Sequence, residues 1–177
     1  MRPFAIWFAP LLGLGLCLSC ASPGAGARPT AVLPQEVGDR LAIADVITRF
    51  AGAASTHDWT AAASLFAEDA VWTSSVGELS FRHDGRPAML AWLTSNEANV
   101  EVLFYASGTP TITLLADDRA RSRVSMIEVL HLKATGERRL LTGAYDDELA
   151  KANGTWRFTR RHFTLGHGEP LRGTPAP

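Results

Sequence analysis

Cysteine is nearly absent. The 177-residue chain has two, Cys17 and Cys20, both within its first twenty residues. Nothing downstream can form a disulfide, a thiolate metal site or a cysteine nucleophile. Charge of one sign is also lacking: 17 Lys and Arg face 18 Asp and Glu, for a net charge of −1. A dedicated nucleic-acid binder would carry a basic field, so that class is excluded as the expected partner. No two histidines have metal-ligand spacing, no phosphate-cradling Gly-rich loop follows a strand, and there is no G-x-S-x-G elbow. No metal and no cofactor are therefore expected. Tyrosine is scarce, with only Tyr105 and Tyr145.

Long apolar runs are missing too. The longest, Phe4 to Leu18, has roughly 15 residues and falls short of the ~20 that span a bilayer. Behind Met1-Arg2 it reads as an export signal over residues 1–20. Two processing readings compete. Leu16-Cys17-Leu18-Ser19-Cys20 resembles a bacterial lipobox, which would make Cys20 a lipidated first residue and anchor the chain to the cell envelope. Ala25-Gly-Ala27 offers an ordinary A-x-A cleavage site instead, which would leave a secreted or periplasmic protein. Residues 21–35 read as a flexible tether, residues 36–166 as the folded domain and residues 167–177 as a loose Pro/Gly tail.

Within the domain, Ile43, Val46, Ile47, Phe50 and Ala54 recur at three-to-four spacing and predict a helix over Gln35 to Thr56. Asp58 can cap a short second helix carrying Trp59, Ala62, Ala63, Leu65 and Phe66. Strands are expected at Ala70 to Ser74 and Leu79 to Phe81. A third helix starts near Asp84-Gly85-Arg86-Pro87 and buries Met89, Leu90, Trp92 and Leu93. Four long strands follow, roughly 100–115, 119–133, 137–150 and 155–166, with a kink at Gly108-Thr-Pro110. Helices followed by a meander indicate an α+β fold.

Strand alternation then assigns faces. In the second long strand Ala120, Ser122, Val124, Met126, Glu128, Leu130 and Leu132 share the apolar face, with Glu128 alone charged among them. A carboxyl in such a wall is desolvated, which raises its pKa and suits it to acid–base work. The alternatives are a bulge that flips the register or a pairing arginine. In the last strand Trp156, Phe158, Arg160, His162 and Thr164 share a face, which would bring His162 to a pocket rim as a proton donor or acceptor, if it is not an ordinary surface or core histidine. A phenol at Tyr105 or Tyr145 can donate to a carbonyl oxygen or simply pack. His57 and His83 read as loop residues.

Three segments together carry a family resemblance. They are Asp58-Trp59 with its short helix, Leu65-Phe-Ala-Glu-Asp-Ala-Val71, and Gly143-Ala-Tyr-Asp-Asp-Glu-Leu149 running on to Asn153-Gly-Thr-Trp-Arg-Phe-Thr-Arg-Arg161. In order and spacing the chain resembles a SnoaL-like domain of the NTF2-like superfamily. The resemblance implies an NTF2-like cone-shaped barrel, three N-terminal helices packed on a curved antiparallel sheet, with one pocket and often a homodimer through the outer sheet face. Related activities include polyketide cyclisation, dehydration as in scytalone dehydratase and isomerisation as in ketosteroid isomerase. Catalytic members place an Asp three residues before the Asp-Trp pair; here that position is Ser55. They also place a His shortly before the proline of the next long strand, where Tyr105 stands closest. The His–Asp dyad does not carry over. Ser55, Phe50, Trp72, Met126, Trp92 and Tyr145 are the residues expected to line the pocket.

Two functions of different class remain. The first is a pocket protein that binds a small, largely apolar molecule without chemistry. The second is a cofactor-free lyase or isomerase in which Glu128 is the base and Tyr105 or His162 polarises an oxygen.

Overall fold

The computed structural model describes residues 34–76 and 79–171, so the signal, Cys20 and most of the tether lie outside the described residues. Helix α1, Gln35–Thr56, runs over the predicted span and buries Ile43, Val46, Ile47, Phe50, Ala53 and Ala54. It ends where His57 takes a left-handed φ of 58° and returns its backbone N–H to the last turn. Asp58 then caps α2, Trp59–Ser64, by accepting from Ala61 N at 2.9 Å. Leu65 and Phe66 are not part of α2: Leu65 is its C-cap, and Phe66 opens strand β1, Phe66–Val76. Strand β2, Leu79–Asp84, pairs antiparallel with β1 and includes His83, which is therefore a strand residue and not a loop one. Helix α3, Arg86–Asn96, starts behind Gly85, whose φ of 80° suits glycine, with Pro87 in its first turn.

The remaining strands are β3 (Val100–Ser107), β4 (Thr111–Ala116), β5 (Arg119–Leu132), β6 (Glu137–Ala152) and β7 (Thr155–Pro170). The predicted first long strand is thus two, separated at Gly108-Thr-Pro110 and paired with successive parts of β5. Asn153 and Gly154, with φ of 51° and 75°, form the two-residue turn between β6 and β7. Strand β7 runs past Gly166, and Pro170 still pairs with Arg139, so the expected loose tail begins no earlier than residue 171.

The sheet order is β2-β1-β7-β6-β5-β3, with β4 also on β5. The expected all-antiparallel sheet is in fact mixed, because β1 pairs parallel with β7. The long excursion from β1 through α3 and back along the meander makes that pairing geometrically available.

Helix α1 lies against the inner face of this curved sheet. Phe50 sits edge-on to Phe66, Trp72, Tyr105, Tyr145 and Phe158 with centroids 6.0–6.3 Å apart. A polar clasp holds the other end of α1. Trp156 Nε1 donates to Asp39 Oδ1 at 2.9 Å and Lys151 Nζ approaches the same oxygen at 2.6 Å. These two donors hold the Asp39 carboxyl below its ordinary range.

One irregularity repositions a whole face. Phe158 pairs with Leu149 but Arg160 pairs with Glu148, so Thr159 is an extra residue, and its hydroxyl donates to Glu148 O at 3.1 Å. Before this bulge Trp156 and Phe158 point inward; after it Arg161 and Phe163 do. The predicted face of Trp156, Phe158, Arg160, His162 and Thr164 is therefore split. Arg160 and His162 leave it, and Arg161 enters the core with no exposure.

Candidate functional site

The inner face of β5 is as alternation predicts. Ala120, Ser122, Val124 and Met126 are buried in turn, and the next inward residue, Glu128, reaches a cavity. That cavity measures about 190 Å³ and opens between the end of α1, α3 and the wall formed by β1, β3, β5 and β6. Phe50, Trp59, Trp72, Trp92, Tyr105 and Tyr145 line it, together with Phe163, Leu130 and Val102 and with Asn96 and Glu97 from the end of α3. An apolar cavity of about 150 Å³ holds a benzene ring, so this one suits a molecule of roughly that size.

Glu128 pairs across strands with Tyr105 on β3 and Leu141 on β6. Burial pushes its carboxyl up to about 7, and burial is the sole cause, since no basic group answers it. The Tyr105 hydroxyl is buried beside the Tyr145 phenol, its hydrogen-bonding neighbour; the buried indole N–H groups of Trp59 and Trp72 have no hydrogen-bond partner among the described residues. Burial pushes the phenols of both Tyr105 and Tyr145 above their usual range. The cavity thus sets a carboxyl without a basic neighbour in an otherwise aromatic wall. That carboxyl incurs a desolvation penalty that a ligand can relieve.

Of the residues expected to act together, Glu128 and Tyr105 meet in this cavity. His162 does not: the Thr159 bulge turns it to the outer face, where its Nδ1 lies 2.7 Å from Thr73 Oγ1. Phe50, Trp72, Trp92 and Tyr145 line the cavity. Ser55 does not line it. Its hydroxyl lies 2.9 Å from both Ala51 O on α1 and the backbone oxygen of Tyr105, and its single proton goes to one of the two. Met126 packs in the core two residues before Glu128 and also stays outside the wall.

Sequence reasoning missed Trp59, Phe163 and Glu97 as wall residues. Trp59 stacks on His57, with centroids 5.6 Å apart and planes 8° from parallel, and this holds it at the cavity mouth. Phe163 was hidden by the bulge. Glu97 lies past the end of α3 and faces His57 Nδ1 at 3.7 Å. The ring's Nε2, 2.7 Å from Val102 O, can only be a donor there, since a carbonyl oxygen accepts.

Beneath the wall lies a buried ion pair. The Arg161 guanidinium sits 3.8 Å from the Tyr145 ring centroid, 4.1 Å from Phe50 and 4.5 Å from Phe158, and its Nε lies 3.6 Å from Asp147 Oδ1. Ser122 Oγ donates to Asp147 at 3.4 Å. Burial still pushes the Asp147 carboxyl up to about 6 against the pull of the arginine.

Among the described residues no cluster of three or more His, Cys, Asp or Glu could hold a metal ion. No helix there is long and apolar enough to cross a membrane.

Residues 35–162 match the family described as the SnoaL-like domain, and the chain belongs to that family. Its curved mixed sheet and helices are those of NTF2-like structures. A type 2 hexachlorocyclohexane dehydrochlorinase (LinA) superposes with a TM-score of 0.72 at 18% identity, covering 81% of this chain and 96% of that one. A ketosteroid isomerase-like protein from Erwinia carotovora atroseptica gives 0.65 at 18% identity, over 73% and 97%. A conserved protein from Planctomyces limnophilus gives 0.63 at 23%, over 76% and 99%. At these identities the likeness shows the fold alone. No curated protein matches the chain by sequence.

Proposed function

We propose that this SnoaL-like domain binds one small, largely apolar molecule, about one ring in size, in the cavity around Glu128. The observation that carries the reading is the half-buried Glu128 carboxyl, set in an aromatic wall whose described residues include no Lys, Arg or His. A wall made only for stability would be filled or satisfied there. Small apolar probes test it. Phenol at millimolar concentration should shift the indole N–H resonances of Trp72 and Trp92 saturably. A linear, non-saturating response to phenol and to other ring-sized probes would sink the reading.

A second reading is favoured by the adjacency of Glu128 and Tyr105. An ionised Glu128 would take a proton from carbon next to a carbonyl or leaving group, while the Tyr105 O–H donates to the oxygen that gains charge. This is the acid–base chemistry of a lyase or isomerase and needs no cofactor. His162 has no part in it. The dehydrochlorinase and isomerase-like neighbours are consistent with such chemistry but do not assign it.

We also propose that the chain is exported and anchored at Cys20, with residues 21–35 as tether, and that copies pair through the outer sheet face. Intact mass and sedimentation of the full chain check both. A diacyl-modified Cys20 at the mature N-terminus and a dimer mass support them; a mature chain starting at Arg28, or a monomer at micromolar concentration, removes the corresponding one.

A further inference from the structure

Buried charges in proteins are paired, or they neutralise themselves. Among the described residues no basic group faces the half-buried Glu128 carboxyl. Arg161 of β7 is committed to Asp147 and covered by three rings. His131, on the same strand, lies 3.1 Å from Glu101. From β3 and β6 the groups facing Glu128 are the phenols of Tyr105 and Tyr145, which are neutral. At the mouth Glu97 adds a second carboxyl, with His57 beside it. The cavity wall therefore contains two carboxyl groups and no Lys, Arg or His.

The rest of that wall is aromatic, and aromatic faces attract cations through the negative potential over the ring. The same aromatic cluster already accepts one cation, since Phe50 and Tyr145 both lie against the Arg161 guanidinium. An anionic guest would meet two carboxyls and no counter-charge. A neutral guest would leave Glu128 unanswered. An alkylated ammonium meets both features at once. Its apolar substituents fill the aromatic box, and its charge restores Glu128 to the ionised form.

We propose that the cavity is an aromatic cage for a small organic cation, an alkylated ammonium, with Glu128 as its counter-charge. The inference rests on the reading of this cavity as a ligand site. It goes further in naming the ligand's charge.

Choline and its neutral carbon analogue 3,3-dimethylbutan-1-ol have nearly the same shape and differ in charge, so the pair separates the two claims. Calorimetry or saturable indole N–H shifts at pH 8 should give choline at least about a tenfold preference over the alcohol. That preference should shrink as pH is lowered from 8 to 5.5 in the wild-type chain, because Glu128 takes up a proton. In Glu128→Gln, with its fold checked by circular dichroism, the preference should fall towards unity while the alcohol binds as before. Equal or tighter binding of the alcohol by the wild-type chain overturns the cation inference and leaves the pocket reading standing. A preference for choline that neither pH nor Glu128→Gln alters overturns the role of Glu128. Binding of neither probe at millimolar concentration overturns the inference, and if phenol also fails to saturate, the pocket reading falls with it.

Discussion

Glu128 is the residue whose surroundings set its chemistry. Its carboxyl rises from an ordinary 4.5 to about 7 because folding removes it from water without supplying a positive charge. A raised carboxyl holds its proton more tightly in the folded chain. The resulting stabilisation is complete below about pH 4.5 and is lost as pH rises through 7. Gln cannot ionise, so Glu128→Gln should be more stable than the parent by about 1–3 kcal/mol at pH 8, with the gap closing at pH 4. Urea denaturation at the two pH values measures it; equal differences at both would mean that Glu128 is solvated. Arg161 and Asp147 are the contrasting case, two buried groups of opposite charge 3.6 Å apart. Together they explain why a basic residue so near the cavity leaves Glu128 unanswered.

Among elements, β7 decides most. Its inward face changes at Thr159, opposite Glu148, and a second extra residue, Gly166, shifts the register again beside Gly143. Gly143 is needed there for space. A Cβ at that position would run into the Thr164 carbonyl oxygen and the Phe163 ring. Phe163 is a wall residue of the cavity, so Gly143→Ala should both destabilise the fold by about 1–3 kcal/mol and disturb the wall. Thermal denaturation reads the first effect and the resonances of the Phe163 ring the second. An unchanged melting temperature would show that the β6–β7 contact is looser than the structure has it. Helix α1 is the contrasting case. Its apolar spacing alone predicted Gln35 to Thr56, and the helix has those ends. A helix stripe depends on residues a few positions apart, which a linear reading can follow.

For the molecule as a whole, the α+β architecture was legible because element order and strand alternation are local patterns. The inward direction of Glu128 was legible for the same reason, as β5 is free of bulges between Ala120 and Leu132 in its pairing with β6. His162 could not be placed that way. One extra residue at Thr159 reverses the side chains from Arg160 to Leu165, and that residue is set by the fit of β7 against β6 and β1 rather than by its own neighbours. The parallel pairing of β1 with β7, two segments far apart in the chain, was likewise invisible to local pattern. Ser55 was expected at the pocket because of its position relative to Asp58-Trp59, yet its hydroxyl lies against two carbonyl oxygens.

The amino-acid order by itself determined the helices, the strands and a lone acidic side chain on an apolar strand face, because each depends on residues within a turn or a strand of one another. Only the tertiary structure decided that Tyr105, Trp72 and Trp92 close around this carboxyl and that Arg161 spends its charge on Asp147. Those outcomes depend on register and packing between distant segments, where a shift of a single position exchanges inside for outside.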